Sequence, residues 1–145
     1  MPIKLSCAGF FSFLISLSPT IFASPQVIEC PTSIAKTSIQ LTNTDAGWTP
    51  FIASPLYLHA AAPMYGPPEL RGELADFSTR PGKTEWSYTY GLDGKFAEGK
   101  WIQCAYGAFN EVTLSKRIDD DTKECTFTYR NGKKAAQHDI KIQCK

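Results

Sequence analysis

The 145-residue chain carries 15 basic and 14 acidic side chains, for a formal charge of +1. That length holds one ordinary domain of about 100–150 residues, and so even a charge balance excludes a phosphate-tracking nucleic-acid surface. Five cysteines in so short a chain direct attention to disulfides or zinc.

The first residues read as an export signal. Lys4 gives a positive start, residues 5–17 are an apolar run containing Phe10, Phe11, Phe13, Leu14 and Ile15, and residues 19–23 resemble a cleavage region. The run is shorter than the roughly 20 residues of a spanning helix, and Pro19 interrupts it. The expected organisation is a signal peptide over residues 1–23, cut after Ala23, and one β-rich domain over residues 24–145. Cys30 follows Val27, Ile28 and Glu29 rather than the apolar run, so a lipid anchor is not expected. The mature product is expected in the periplasm without stable membrane insertion, and loss of Lys4 brings its formal charge to about zero.

Period-two patterning dominates the rest of the chain. Ile39 and Leu41 alternate with Ser38, Gln40 and Thr42. Leu56 and Leu58 alternate with Tyr57 and His59, and Trp86, Tyr88 and Tyr90 with Ser87 and Thr89. Ile102, Cys104 and Tyr106 share a side, as do Val112 and Leu114, and Ile140, Ile142 and Cys144. Turn signals separate these segments at Asp45-Ala46-Gly47, Tyr65-Gly66-Pro67-Pro68, Arg80-Pro81-Gly82, Gly91-Leu92-Asp93-Gly94 and Glu98-Gly99. Residues 68–77 can hold one or two helical turns, with Pro68 first and Gly72 weakening them. The expected class is all-β with at most one short helix, an antiparallel sandwich or partly closed barrel stapled by disulfides.

Cys7 falls in the leader, so export leaves Cys30, Cys104, Cys125 and Cys144. An even set outside the cytoplasm reads as two disulfides, and the absence of any Cys-x-x-Cys pair argues against zinc. Residues 125–130 alternate as a strand, and Asn131-Gly132 is the strongest two-residue hairpin turn. That register sets Cys125 opposite His138, leaving Cys144 about 20 Å away along the strand, whereas a disulfide needs Cα atoms within about 7 Å. The expected pairs are therefore Cys104 with Cys125 and Cys30 with Cys144. The same register places Cys125, Phe127 and Tyr129 on the face shared by Ile140, Ile142 and Cys144.

A search for catalytic patterns finds no Gly-x-Ser-x-Gly elbow, His-Glu-x-x-His helix, phosphate loop or dinucleotide glycines. No cofactor or metal is expected. A thiol hydrolase using Cys104 with His59 or His138 is the least favoured alternative, since Cys104 lies in an apolar strand and has disulfide partners. Glu69 and Glu73 read as surface acids rather than as a glycosidase pair. Asp119, Asp120 and Asp121 read as a solvated turn, because the alternating ligands and closing glutamate of a calcium loop are missing. Lys116-Arg117 and Lys133-Lys134 read as solvated strand ends.

The remaining signal is aromatic and proline-rich. Most rings among Trp48, Tyr57, Tyr65, Trp86, Tyr88, Tyr90, Trp101 and Tyr106 belong to the core. A minority can form a contact surface. The segment from His59 through Tyr65, Gly66, Pro67, Pro68 and Glu69 is the candidate exposed binding loop, stiffened by proline so that less entropy is lost on binding.

Several motifs together resemble a family of small uncharacterised exported proteins of Gram-negative bacteria, some encoded near type VI secretion genes. They are Cys30-Pro31, Gly47-Trp48, Gly66-Pro67-Pro68-Glu69, Trp86, Trp101-Ile102-Gln103-Cys104-Ala105-Tyr106-Gly107, Val112-Thr113-Leu114-Ser115 and Cys125. Ala105 stands where that family usually has a basic residue. The resemblance implies a periplasmic protein guarding against a wall-degrading or membrane-damaging effector, and it transfers no catalytic residues. The expected function is thus non-enzymatic binding of a protein, a toxin or wall hydrolase, by an inhibitor or immunity-type protein. The alternative is an accessory envelope protein.

Overall fold

A computed structural model describes residues 25–145, so the leader reading lies outside the described residues. Ten strands follow in chain order: β1 (Gln26–Ile28), β2 (Ser33–Ile34), β3 (Leu56–Tyr65), β4 (Gly72–Glu73), β5 (Ser78–Arg80), β6 (Glu85–Gly91), β7 (Lys100–Tyr106), β8 (Val112–Arg117), β9 (Glu124–Asn131) and β10 (His138–Cys144). Among the described residues they form two antiparallel sheets and no closed barrel. One runs β1-β10-β9-β6-β5. The other runs β2-β3-β7-β8, with β4 paired to the far end of β3.

Alternation decides what each sheet contributes to the space between them. From the first sheet come Tyr90, Phe127, Tyr129, Ile142 and the sulfurs of Cys125 and Cys144, and from the second Leu58, Ala61, Ile102, Cys104 and Tyr106. Residues of the opposite phase, such as Glu85, Arg130, Asp139 and Lys141, are exposed. Each fully buried large side chain contributes about 1.5–3 kcal/mol of transfer free energy, and the rings interlock beyond that. Trp86 lies over Tyr129 at 5.6 Å between centroids, and Tyr88 and Tyr90 meet Tyr129 and Phe127 edge to face at 5.5 Å.

Four expectations are corrected. The segment around Ile39 and Leu41 is not a strand: residues 36–38 form a short 3₁₀ turn, and among the described residues no strand lies beside residues 39–55 to take up their backbone hydrogen bonds. The helix expected near residue 68 is a single 3₁₀ turn, Pro68–Leu70, ended by Arg71 at φ 49 in the left-handed region. The stretch from His59 to Tyr65 is not a loop but the body of β3.

The fourth correction concerns the disulfides, which are Cys30–Cys104 and Cys125–Cys144. Asn131-Gly132 does not make a two-residue turn. Asn131 pairs with His138, and residues 132–137 form a six-residue loop. Gln137 organises that loop: its carbonyl accepts from the Gly132 N–H at 2.8 Å and its side-chain oxygen from the Lys134 N–H at 3.0 Å. The register slips by six residues, which sets Cys125 directly opposite Cys144, with Cα atoms 4.1 Å apart. An even slip leaves every side chain on its expected face, so the hydrophobic phase is right while the pairing built on it is not. Cys30–Cys104 instead ties the N-terminal segment to the middle of β7.

Candidate functional site

Ten residues long, β3 connects the two ends of the sandwich, and the sequence-predicted site residues all lie on it or just beyond it. Between its pairing with β2 at Leu56 and Tyr57 and with β4 at Met64 and Tyr65, one edge of β3 has no strand beside it among the described residues. An open edge of this kind invites pairing with another chain, and here it is sealed from the opposite sheet. The Tyr129 hydroxyl accepts from the Ala61 N–H at 3.0 Å and donates to the Ala61 carbonyl at 2.5 Å. Burial pushes the Tyr129 phenol up to about 12, against the opposing pull of its bond to Ala61. Two residues along, Pro63 has no N–H to offer.

His59 belongs to the same seal rather than to a binding loop. The register shifts between Leu58 and Ala60, so His59 is the extra residue of a β-bulge, a feature that re-aims a side chain. Its ring stacks on His138 at 5.2 Å. His59 Nδ1 donates to the Ala136 carbonyl at 2.7 Å, and His138 Nδ1 donates to the His59 carbonyl at 2.5 Å. Both imidazoles are thereby committed to backbone acceptors. They clamp the six-residue loop onto β3, with Ala136 at φ 56.

The other five candidates do come together, as a ridge closing the far end of β3. Gly66 turns the chain at φ +79, where a Cβ would lie 2.7 Å from Leu70 and 2.9 Å from Glu98, so glycine is required on both counts. The Gly66 N–H donates to the Gly99 carbonyl at 3.0 Å, and Pro67 and Pro68 lead into the 3₁₀ turn. Tyr65 leans on Phe96 with centroids 5.3 Å apart, while Glu69 and Leu70 are exposed. The ridge is rigid, carries an acid, an aliphatic tip and a partly exposed phenol, and holds no group arranged for bond-making.

Sequence reasoning missed which aromatic rings are exposed on the segment before β3 and on the β7–β8 turn. Trp48 is 76 % exposed, Phe51 81 % and Phe109 88 %. Ring count alone could not separate these from Trp86, which is covered by Tyr129 and His138; for Trp48 and Phe51 the available signal was the length of unpatterned chain between Thr42 and Leu56.

Among the described residues no cluster of His, Cys, Asp or Glu is arranged to hold a metal, and all four cysteines are bonded, so Cys104 has no thiol to act as a nucleophile. Residues 53–145, well over half of the chain, match the family model described as type VI secretion system Tli immunity protein. The chain belongs to that immunity-protein family. No curated protein and no solved structure gives a significant match.

The family assignment makes the rigidity of the ridge end relevant to recognition. Lys100 is 1 % exposed, and its ammonium donates to the carbonyls of Asp120 and Thr122 at 2.6 and 2.7 Å while lying 5.3 Å from the Phe96 ring centroid. It thus pins the turn after β8 and the ring that supports Tyr65. Replacing Lys100 with Met leaves two carbonyls without their donor and is expected to cost about 2–3 kcal/mol by urea denaturation. A loss below about 0.5 kcal/mol would mean that water replaces the ammonium freely. Ala105 is 6 % exposed and faces Ala60 and Thr113 across the strands.

Proposed function

We propose that this protein is an exported, non-enzymatic immunity protein that binds and neutralises a type VI secretion effector in the periplasm. The family match over residues 53–145 carries the reading. Two features support the compartment: a leader-like segment over residues 1–23 ahead of a β-rich body over residues 24–145, and two disulfides, which persist outside the reducing cytoplasm. A braced scaffold with projecting turns is what an inhibitor needs, because residues held in place before binding lose little entropy on binding. The effector acts on the cell wall or the membrane, the targets reached from that compartment.

The ridge of Tyr65, Gly66, Pro67, Pro68 and Glu69 is the first contact assigned to this function. Replacing Pro67 and Glu69 together with Ala is expected to weaken capture of the purified effector at least about tenfold, or 1.4 kcal/mol. Its melting temperature should fall by no more than the few degrees that follow from about 0.4–1 kcal/mol of released chain entropy. Unchanged affinity would remove the ridge from the interface, and collapse of the fold would make its role structural.

A further inference from the structure

Large apolar side chains are exposed on the long segment before β3 and on the β7–β8 turn. Residues 39–55 form an arm longer than the roughly 12–15 residues usual for a connection without structure of its own, a length that goes with function in a compact domain. Within it the Trp48 N–H donates to the Asp45 carbonyl at 3.1 Å, and Gly47 sits at φ +88, closing a turn that projects the indole. The β7–β8 turn is braced twice: the Gly107 N–H donates to the Tyr57 carbonyl at 2.9 Å and the Phe109 N–H to Glu111 Oε2 at 3.0 Å. Phe109 stands at its tip.

The last residues of the arm and the β7–β8 turn share one end. Ser54 and Pro55 of the arm face Gly107 and Ala108 across a hollow of about 230 Å³, which the six-residue loop borders through Ala135 and Ala136. Phe51 lies three residues before Ser54, at most about 10 Å of chain away, and Phe109 is next to Ala108. A single exposed aromatic residue needs no explanation, but Phe51 and Phe109 flank that hollow in sequence and Trp48 precedes Phe51 on the same arm, and exposed apolar groups gathered in this way mark interaction sites.

We infer that Trp48, Phe51 and Phe109 are the anchoring side chains of the effector contact, inserting into an apolar hollow on that protein. Asp45, Glu111, Lys133 and Lys134 form its polar rim. The inference rests on the proposed immunity function. Area supports it: rings of this size bury about 150–250 Å² each, so the three supply roughly 500 Å² of the 800 Å² that one partner contributes to a standard interface. The chemistry agrees, since aromatic anchors inside a mixed-charge rim are how interfaces concentrate their energy. Trp48 and Phe51 precede the family-matched stretch, so the arm is a place where this chain can set which effector it accepts without altering the shared body. Ridge and anchors contribute to one contact only if the effector spans the length of β3, about 33 Å for its ten residues.

The test titrates the purified effector against the mature protein, against Trp48→Ala/Phe51→Ala, against Phe109→Ala and against the triple variant. Each of the first two variants should weaken binding at least about tenfold and the triple at least about 100-fold. Melting temperatures should stay at the wild-type value, because none of these rings is buried. Wild-type binding matched within about twofold by the triple variant overturns the anchors and leaves the immunity reading intact. Failure of the wild type to bind overturns the immunity reading itself. Self-association of the wild type that the triple variant lacks, with effector binding retained, gives the surface to a second copy of this chain. Sedimentation of the wild type alone with phosphatidylethanolamine–phosphatidylglycerol vesicles, again with effector binding retained, gives it to a membrane; either result overturns the inference.

Discussion

Replacing Cys30 and Cys104 together with Ala is expected to lower unfolding stability by about 4 kcal/mol, and the same change at Cys125 and Cys144 by about 3 kcal/mol. The order follows from the chain each bond closes, 74 residues apart in sequence for the first pair and 19 for the second. Loop-closure entropy in the unfolded ensemble grows with the logarithm of that length. Against a total of about 5–15 kcal/mol for an ordinary domain, either loss is large. The first also frees the segment carrying β1 and β2 from β7. Urea denaturation of the two double variants measures the difference, and peptide mapping of the unreduced protein measures the pairing. A cross-linked peptide joining Cys104 to Cys125 would contradict the register described for β9 and β10.

Tyr129→Phe is the second large expected effect, about 2–4 kcal/mol, although it removes a single oxygen. That oxygen serves both the N–H and the carbonyl of Ala61 on an edge with no strand beside it among the described residues. Each buried backbone group left without a partner costs about 1–3 kcal/mol. The same site produces a pH dependence whose sign is fixed. The phenol is raised to about 12 in the folded protein against about 10 unfolded. Its contribution is therefore complete below pH 10 and is lost as pH climbs from about 10 through 12, where the unfolded chain releases its proton first. The shift of about two units corresponds to roughly 2–3 kcal/mol. Denaturation midpoints between pH 9 and 12 should fall steeply for the wild type and less for Tyr129→Phe. Some slope remains in the variant, because burial also raises Tyr90 and Tyr106. Parallel slopes would mean that the Ala61 contact is open to water.

Much of the architecture is legible in the residues, for identifiable reasons. Trp86, Tyr88 and Tyr90, then Ile102, Cys104 and Tyr106, then Phe127 and Tyr129 alternate because each strand is covered on one side only, and period-two burial writes itself into sequence. What is not legible depends on contacts far apart in the chain. Asn131-Gly132 favours a tight turn locally, but Gln137, the clamp between His59 and His138 and the opposed cysteines together hold a longer loop. Alternation cannot expose the error, because a six-residue slip keeps Ile140 and Ile142 inside. The bulge at His59 likewise leaves no local trace. It exists because His138 and Ala136 come from the opposite sheet to meet that ring.

The site divides in the same way. Gly66, Pro67 and Pro68 announce a rigid reversal through their own backbone preferences, and the ridge is where the sequence places it. Trp48 and Phe51 carry no such mark. Whether a ring is core or surface depends on what lies over it: Tyr129 and His138 cover Trp86, and Trp48 is exposed.

A direct measurement of the central claim is calorimetric titration of the oxidised protein, residues 24–145, with the purified type VI effector of the bacterium that produces it. The account predicts a saturable complex with a Kd below about 1 µM, and loss of the effector's activity once the complex is formed. A folded protein with both disulfides intact that leaves the effector unbound and fully active would contradict it.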